Sequence, residues 1–197
     1  MQRDRNTRRH VLAMGGGLFA GLVLPRLATG QELAPTPQCD GKSAATIRQT
    51  EGPFFKPRSP LTADLRSGGL TGETVTLTGF VLTRGCRPVS NALVDLWHAD
   101  AAGEYDNKGF RGRGHQFTDE QGRYRFVTIV PAQYPGRTRH YHVKVQAANG
   151  PVLTTQLYFP DDPGNRRDGL FRRELLMKVA GRGSERDARF DFVLDRR

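Results

Sequence analysis

The residues best suited to chemistry stand in the run His140-Tyr141-His142-Val143-Lys144-Val145. Successive side chains of a strand alternate faces, so His140 and His142 point one way and Tyr141, Val143 and Val145 point the other. Two neighbouring imidazoles can chelate one metal ion, although a His-x-His pair is also compatible with plain packing. Zinc or iron(II) would call for a carboxylate close by. None occurs in this strand or in the loop before it, and Asp95 and Asp100, flanking Trp97-His98, have no spacing that joins them to His140. Tyrosines stand nearer to hand. Tyr134 lies in Pro131-Ala132-Gln133-Tyr134-Pro135-Gly136, which leads into the histidine strand, and Tyr105 lies in the turn Gly103-Glu104-Tyr105-Asp106-Asn107. Phenolate is a hard anionic donor suited to a hard trivalent cation. Two phenolates and a hydroxide would neutralise iron(III) and so reduce the cost of burying its charge.

Positioning such a set requires a rigid scaffold, and the chain reads as strands and turns. Short β-branched and aromatic runs span roughly Thr74–Thr83, Ala92–Ala99, Tyr124–Val130, His140–Ala147, Val152–Tyr158 and Arg189–Leu194, bounded by Gly, Asp, Asn and Pro. Leu170–Ala180 is the one stretch expected to be helical. The pattern predicts a mainly β protein, an antiparallel β-sandwich with little helix. Such a scaffold does not by itself specify an activity.

The first thirty residues read as an address. Arg8-Arg9 precede an uncharged run from Val11 to Leu24, and Ala28-Thr29-Gly30 supplies small residues for cleavage. This is the form of a twin-arginine signal peptide over residues 1–30, implying a periplasmic or secreted protein exported already folded. Residues 31–50 are expected to form an extended arm and residues 51–197 the β-sandwich domain. Fourteen apolar and Gly-rich residues are short for a bilayer span, so no stable span is expected after processing. The formal net charge of +10 falls to +6 once the five Arg and one Asp of the leader are set aside. The remaining basic residues are dispersed, without a zinc finger, recognition-helix or RNA-binding signature, which argues against nucleic acid. Cys39 and Cys86 are the chain's two cysteines. They are too few for a structural zinc site, and in an oxidising compartment they either pair or remain as two thiols.

The segments Glu51-Gly52-Pro53-Phe54-Phe55, Leu96-Trp97-His98-Ala99-Asp100-Ala101-Ala102-Gly103-Glu104-Tyr105, Tyr134-Pro135, His140-Tyr141-His142 and Thr155-Gln156-Leu157-Tyr158-Phe159 resemble, in order, the intradiol ring-cleavage dioxygenases. The resemblance covers about residues 46–195. It implies the intradiol β-sandwich core and an iron(III), Fe(III), ion held by Tyr105, Tyr134, His140 and His142. It also implies catechol-type substrates, O2 as co-substrate and cis,cis-muconate-type diacid products. Tyr105 matches the tyrosine that leaves the metal as substrate binds and helps take a catechol proton. Arg137 matches an arginine that stabilises charge developing on the ring, and Gln156 a polar residue beside it. Arg139, directly before His140, is expected to face away, and His98 and His115 are expected to be structural or supporting.

The chain departs from the protocatechuate-type pattern in the short Tyr134–His140 connection. Gly136 also stands where those enzymes carry a bulky aromatic, which predicts a more open pocket and leaves the preferred catechol undefined. The helical dimerisation region of the catechol-type enzymes has no counterpart here, and a homo-oligomer is neither required nor excluded. The competing reading is a secreted β-sandwich module that binds anionic aromatics or polysaccharide through basic loops, without catalysis. A zinc or iron(II) enzyme built on the His pair is a third.

Overall fold

The structure, a computed structural model, describes residues 44–181 and 183–196. Residues 1–30, read above as a signal peptide, the first part of the arm and Cys39 lie outside the described residues. Cys86 is disulfide-bonded.

Among the described residues nine strands form two facing sheets. They are β1 (Thr74–Thr83), β2 (Leu93–Trp97), β3 (Arg113–Phe117), β4 (Arg123–Ile129), β5 (His140–Gln146), β6 (Leu153–Tyr158), β7 (Lys178–Ala180), β8 (Glu185–Arg189) and β9 (Phe192–Leu194). One sheet runs β4-β1-β8-β7, with β9 also on β1, and the other runs β3-β2-β5-β6. The β-sandwich expected from the sequence is present. The second sheet is antiparallel throughout, whereas β1 pairs in parallel with β8 and then with β9. Where those two strands meet, the Asp191 carboxylate takes the Phe80 N–H at 3.0 Å in place of a backbone carbonyl.

Alternation builds the core. Val75, Leu77 and Val81 of β1 and Tyr124 and Phe126 of β4 face Val94, Leu96, Tyr141, Val143, Val145 and Leu157 of the other sheet. Burial of these side chains is the main favourable term holding the sheets together. The described part of the arm has no regular structure and spans one edge of the sandwich. Thr46 N–H donates to Val193 O at 2.8 Å in one sheet, and Gln49 N–H to Thr154 O at 2.8 Å in the other.

The helix expected over Leu170–Ala180 is absent. A short 3-10 turn at Arg173–Leu175 leads into strand β7. Leu175 and Met177, two apart, are both buried, and Met177 N–H donates to Tyr158 O at 3.0 Å. The segment thus serves the edge of β6 with strand periodicity, and tertiary pairing outweighs its helix-forming composition. Strand β3 and most of β8 were not expected, because Arg113–Phe117 and Glu185–Arg189 carry too few apolar residues to signal a strand.

Candidate active site

The outer face of the β3-β2-β5-β6 sheet has an unusual composition. The antiparallel register sets Arg113 beside Trp97, Trp97 beside His142, His142 beside Gln156 and His140 beside Tyr158. Strand periodicity places all of these side chains on the face opposite the hydrophobic core. They are nonetheless buried, Trp97 and His142 at 1% exposure and Gln156 at 0%. The cover is made by residues 50–56, the loops around 103–111 and 131–138, and the segment 160–172. A buried polar face under loops is the arrangement expected of a site rather than of a packing surface.

Tyr134 is delivered by a tight turn. Pro135 and Gly136 occupy its centre, Gly136 has φ +79°, and Arg137 N–H closes it on Tyr134 O at 2.9 Å. Proline followed by a residue with positive φ is the signature of a type II turn. It sets the Tyr134 and Arg137 side chains next to each other, with Arg137 Nη1 3.4 Å from Tyr134 Oη. Tyr134 Oη lies 3.5 Å from His140 Nε2, which lies 3.1 Å from His142 Nε2. His140 Nδ1 is 2.7 Å from Thr138 O. A carbonyl can only accept, so Nδ1 carries the proton and Nε2 presents its lone pair to Tyr134 and His142.

Burial keeps both imidazoles neutral. It pushes His140 down to about 4 and His142 well below its ordinary value. Trp97 lies flat against the His142 ring, with centroids 5.0 Å apart and planes 7° apart. Gly52, at φ +72°, clears the other approach, where an added Cβ would stand 3.1 Å from His142 Cε1. Tyr105 completes the group with ring centroids 5.9 Å from Tyr134 and 6.1 Å from His142, and Phe54 stacks on it at 4.4 Å. Its hydroxyl is buried without a hydrogen-bond partner. Burial, reinforced by the neighbouring Tyr134, raises the Tyr105 pKa.

Arg137 is anchored on both sides. Its Nε donates to Asp168 Oδ2 at 3.0 Å, and its Nη2 donates to Gln156 Oε1. Burial alone would lower its pKa, but the hydrogen bond and charge of Asp168 outweigh this and raise it. Gln156 Nε2 in turn donates to Thr50 O at 3.0 Å. The Tyr158 hydroxyl sits among Gln156 Oε1 at 3.0 Å, Gln49 Oε1 at 2.7 Å and Leu170 O at 3.0 Å.

Tyr105, Tyr134, Arg137, His140, His142 and Gln156, all picked out from the sequence, thus meet on one sheet face. Arg139 turns away to Asp162, with Nη1 3.5 Å from Oδ2. His98 is buried elsewhere, its ring nitrogens 2.7 Å from Ala99 O and 2.5 Å from Thr128 Oγ1. His115 contacts Ser59 Oγ at 3.0 Å, and Asp95 accepts from the same hydroxyl at 2.9 Å. Trp97, Arg113, Tyr158 and Asp168 were not assigned site roles from the sequence. Tyr158 could have been, since it follows Gln156 at strand period. Asp168 approaches from a distant loop and left no local signal.

The donors fit a metal. Two neutral imidazoles offer lone pairs, and two phenols offer anionic oxygen once ionised. Tyr105 Oη is an orphaned polar atom aimed into the same space. Among the described residues no three His, Cys, Asp or Glu side chains gather where they could hold a metal, so the His pair has tyrosines rather than carboxylates as its neighbours.

Comparison with known proteins shows the family. A family model described as dioxygenase matches residues 50–196. The chain is 39% identical to the protocatechuate 3,4-dioxygenase beta chain of Burkholderia cepacia, over 57% of this chain and 58% of that one. The chain therefore spans little more than half the length of the curated relatives it matches. Among solved structures, the dioxygenase domain of a dioxygenase–carbohydrate-binding protein fusion from Streptomyces sp. SirexAA-E is 51% identical. Its TM-score is 0.75, and the match covers 77% of this chain and 99% of that one. The 3-chlorocatechol 1,2-dioxygenase of Rhodococcus opacus is 29% identical with a TM-score of 0.71, covering 77% and 73%. The class is that of the dioxygenases built on a β-sandwich. Within it, the chain belongs to the intradiol ring-cleavage dioxygenase family.

Proposed function

We propose that this protein is an iron(III)-dependent intradiol dioxygenase that inserts both atoms of O2 into a catechol-type ring, giving a cis,cis-muconate-type diacid. The observation that carries the reading is the meeting of Tyr134 Oη, His140 Nε2 and His142 Nε2 at 3.5 and 3.1 Å, with His140 Nδ1 already occupied by Thr138 O. Tyr105, Tyr134, His140 and His142 would hold the ion. When bound, it would supply Lewis-acid activation and orientation of the catechol oxygens.

The chain's own groups account for the rest. Burial favours the neutral Tyr105 phenol in the metal-free protein; a bound cation would favour its phenolate, which at Oη would take a catechol proton. Arg137, held between Asp168 and Gln156, presents a fixed positive charge beside Tyr134, where it can stabilise negative charge on a substrate ring. Phe54 and Trp97 wall the donor set with apolar surface and limit water. Gly136 has nothing within 4 Å of its Cβ position, which supports the more open pocket wall expected from the sequence.

Oxygen uptake with a panel of catechols, followed by product identification, tests the activity. Muconate-type diacids are expected, and yellow semialdehydes would contradict intradiol cleavage. Iron-loaded protein should show a broad visible phenolate-to-iron band that weakens in Tyr134→Phe. A colourless, fully loaded protein would overturn the ligand assignment, and catechol binding without oxygen uptake would favour a non-catalytic module. We also infer export through the twin-arginine route. Replacing Arg8 and Arg9 by Lys should hold the protein inside the cell, and unchanged export would refute that part.

A further inference from the structure

We propose that Arg113 is the positioning residue for Tyr105, joining the two chain segments between which that ring is held. Arg113 is an arginine at 2% exposure, on a strand face where most of its neighbours belong to the site. Its Nη1 donates to Phe54 O at 2.7 Å and its Nε to Asp106 O at 3.1 Å. Phe54 is the ring stacked on Tyr105, at 4.4 Å and 16°, and Asp106 is the residue following Tyr105. One guanidinium therefore ties to strand β3 both the backbone that bears the Phe54 ring covering Tyr105 and the backbone that follows Tyr105. Its Cζ lies 5.8 Å from the Tyr105 ring centroid.

The cost of this arrangement indicates its use. A buried cation is unfavourable unless well paired, and here neither of its two hydrogen-bond partners is a carboxylate. Burial lowers the Arg113 pKa, and Nη2 is buried without a partner. Methionine would fill much of the same space without that penalty, so packing alone gives no reason for arginine. The fork does what neither Met nor Lys can, since it spans two carbonyls from separate segments in one rigid plane. Tyr105 sits on a loop, and loop-borne groups gain precision from buried supports of this kind.

The role of Tyr105 rests on the function proposed above, so the test carries one reading that does not depend on metal. Full-length Arg113→Met and Arg113→Lys are compared with the parent protein. In metal-free protein, contacts between the Phe54 and Tyr105 ring protons, followed by NMR, should be strong in the parent and lost in Arg113→Met. In iron-loaded protein, the visible band per bound iron should shift. The kcat for catechol should fall on the order of ten- to a hundredfold, with a smaller change in KM. Arg113→Lys keeps the buried charge but at most one of the two hydrogen bonds, and is expected to fall between. If Arg113→Met does not fold, Arg113→Lys decides by the same measurements. Retained ring contacts with an unchanged band and kcat, whatever the thermal stability, would overturn the proposal. Absence of the band in the parent protein would instead count against the iron reading and leave the ring-contact result to decide the role of Arg113.

Discussion

Trp97 and His142, neighbours across the β2–β5 register, lie ring on ring with their planes 7° apart. The indole covers one face of the imidazole and holds its plane, while the absence of a side chain at Gly52 leaves room beside the ring's Cε1. Replacing Trp97 by Leu should leave a cavity and cost about 2–4 kcal/mol of unfolding free energy. Iron affinity should fall roughly tenfold or more as His142 loses its orientation. Denaturant titration and metal titration measure the two effects separately. A loss of stability with unchanged affinity would make Trp97 a packing residue alone.

Gly52 supplies the complementary prediction. Gly52→Ala places a methyl group 3.1 Å from His142 Cε1 at a backbone φ of +72°. Strain of about 1–2 kcal/mol is expected, with weaker iron binding as the ring tilts. Wild-type affinity in this variant would show that the ring has room to spare.

Asp168 controls Arg137 from a loop 31 residues away. Asp168→Asn removes the charge from a pair whose carboxylate side chain is 1% exposed, and should cost on the order of 3 kcal/mol. Freed from this anchor, Arg137 should support turnover less well, so kcat should fall more than KM rises. The pH dependence follows from sign. Burial opposes ionisation of Asp168, but the Leu170 N–H, Arg137 and the Thr138 N–H together hold its pKa below the ordinary value. Its contribution is therefore complete above the unfolded carboxylate pKa of about 4 and disappears as pH falls through the lower folded value. Unfolding free energies of wild type and Asp168→Asn, measured from pH 7 downward, should converge in strong acid.

The histidines set a second pH window. Burial depresses His98 to about 4, and His140 likewise. The unfolded chain takes up these protons near pH 6.5 and the folded protein only near pH 4, so stability should fall as pH drops through that interval. Each such group contributes a slope of up to about 1.4 kcal/mol per pH unit. Urea unfolding of metal-free protein at pH 7, 5.5 and 4.5 measures it. A flat profile would mean that the imidazoles are not held neutral.

Much of this protein could be read along the chain. Alternation in Thr74–Thr83 and in His140–Val145 is a local property, so it marked two central strands and put His140 and His142 on one face. The turn chemistry of Pro135-Gly136 is equally local. What failed were elements whose state depends on a distant partner. Leu170–Ala180 has helix-forming composition, yet it edges β6 because Met177 finds Tyr158 O. Strand β8 is polar because it lies partly exposed, and β3 because it carries Arg113 into a buried polar face, so hydrophobic alternation could not reveal them.

The sequence by itself therefore determined the residue types, the strand periods and the family pattern that named Tyr105, Tyr134, His140 and His142 as a set. Tertiary structure alone decided which outward-facing side chains would be buried. Trp97, Arg113, Gln156 and Tyr158 come from three strands, and Asp168 from a further loop. Their proximity arises from cross-strand register and loop cover, which link residues up to about a hundred positions apart and leave no mark on any local stretch of chain.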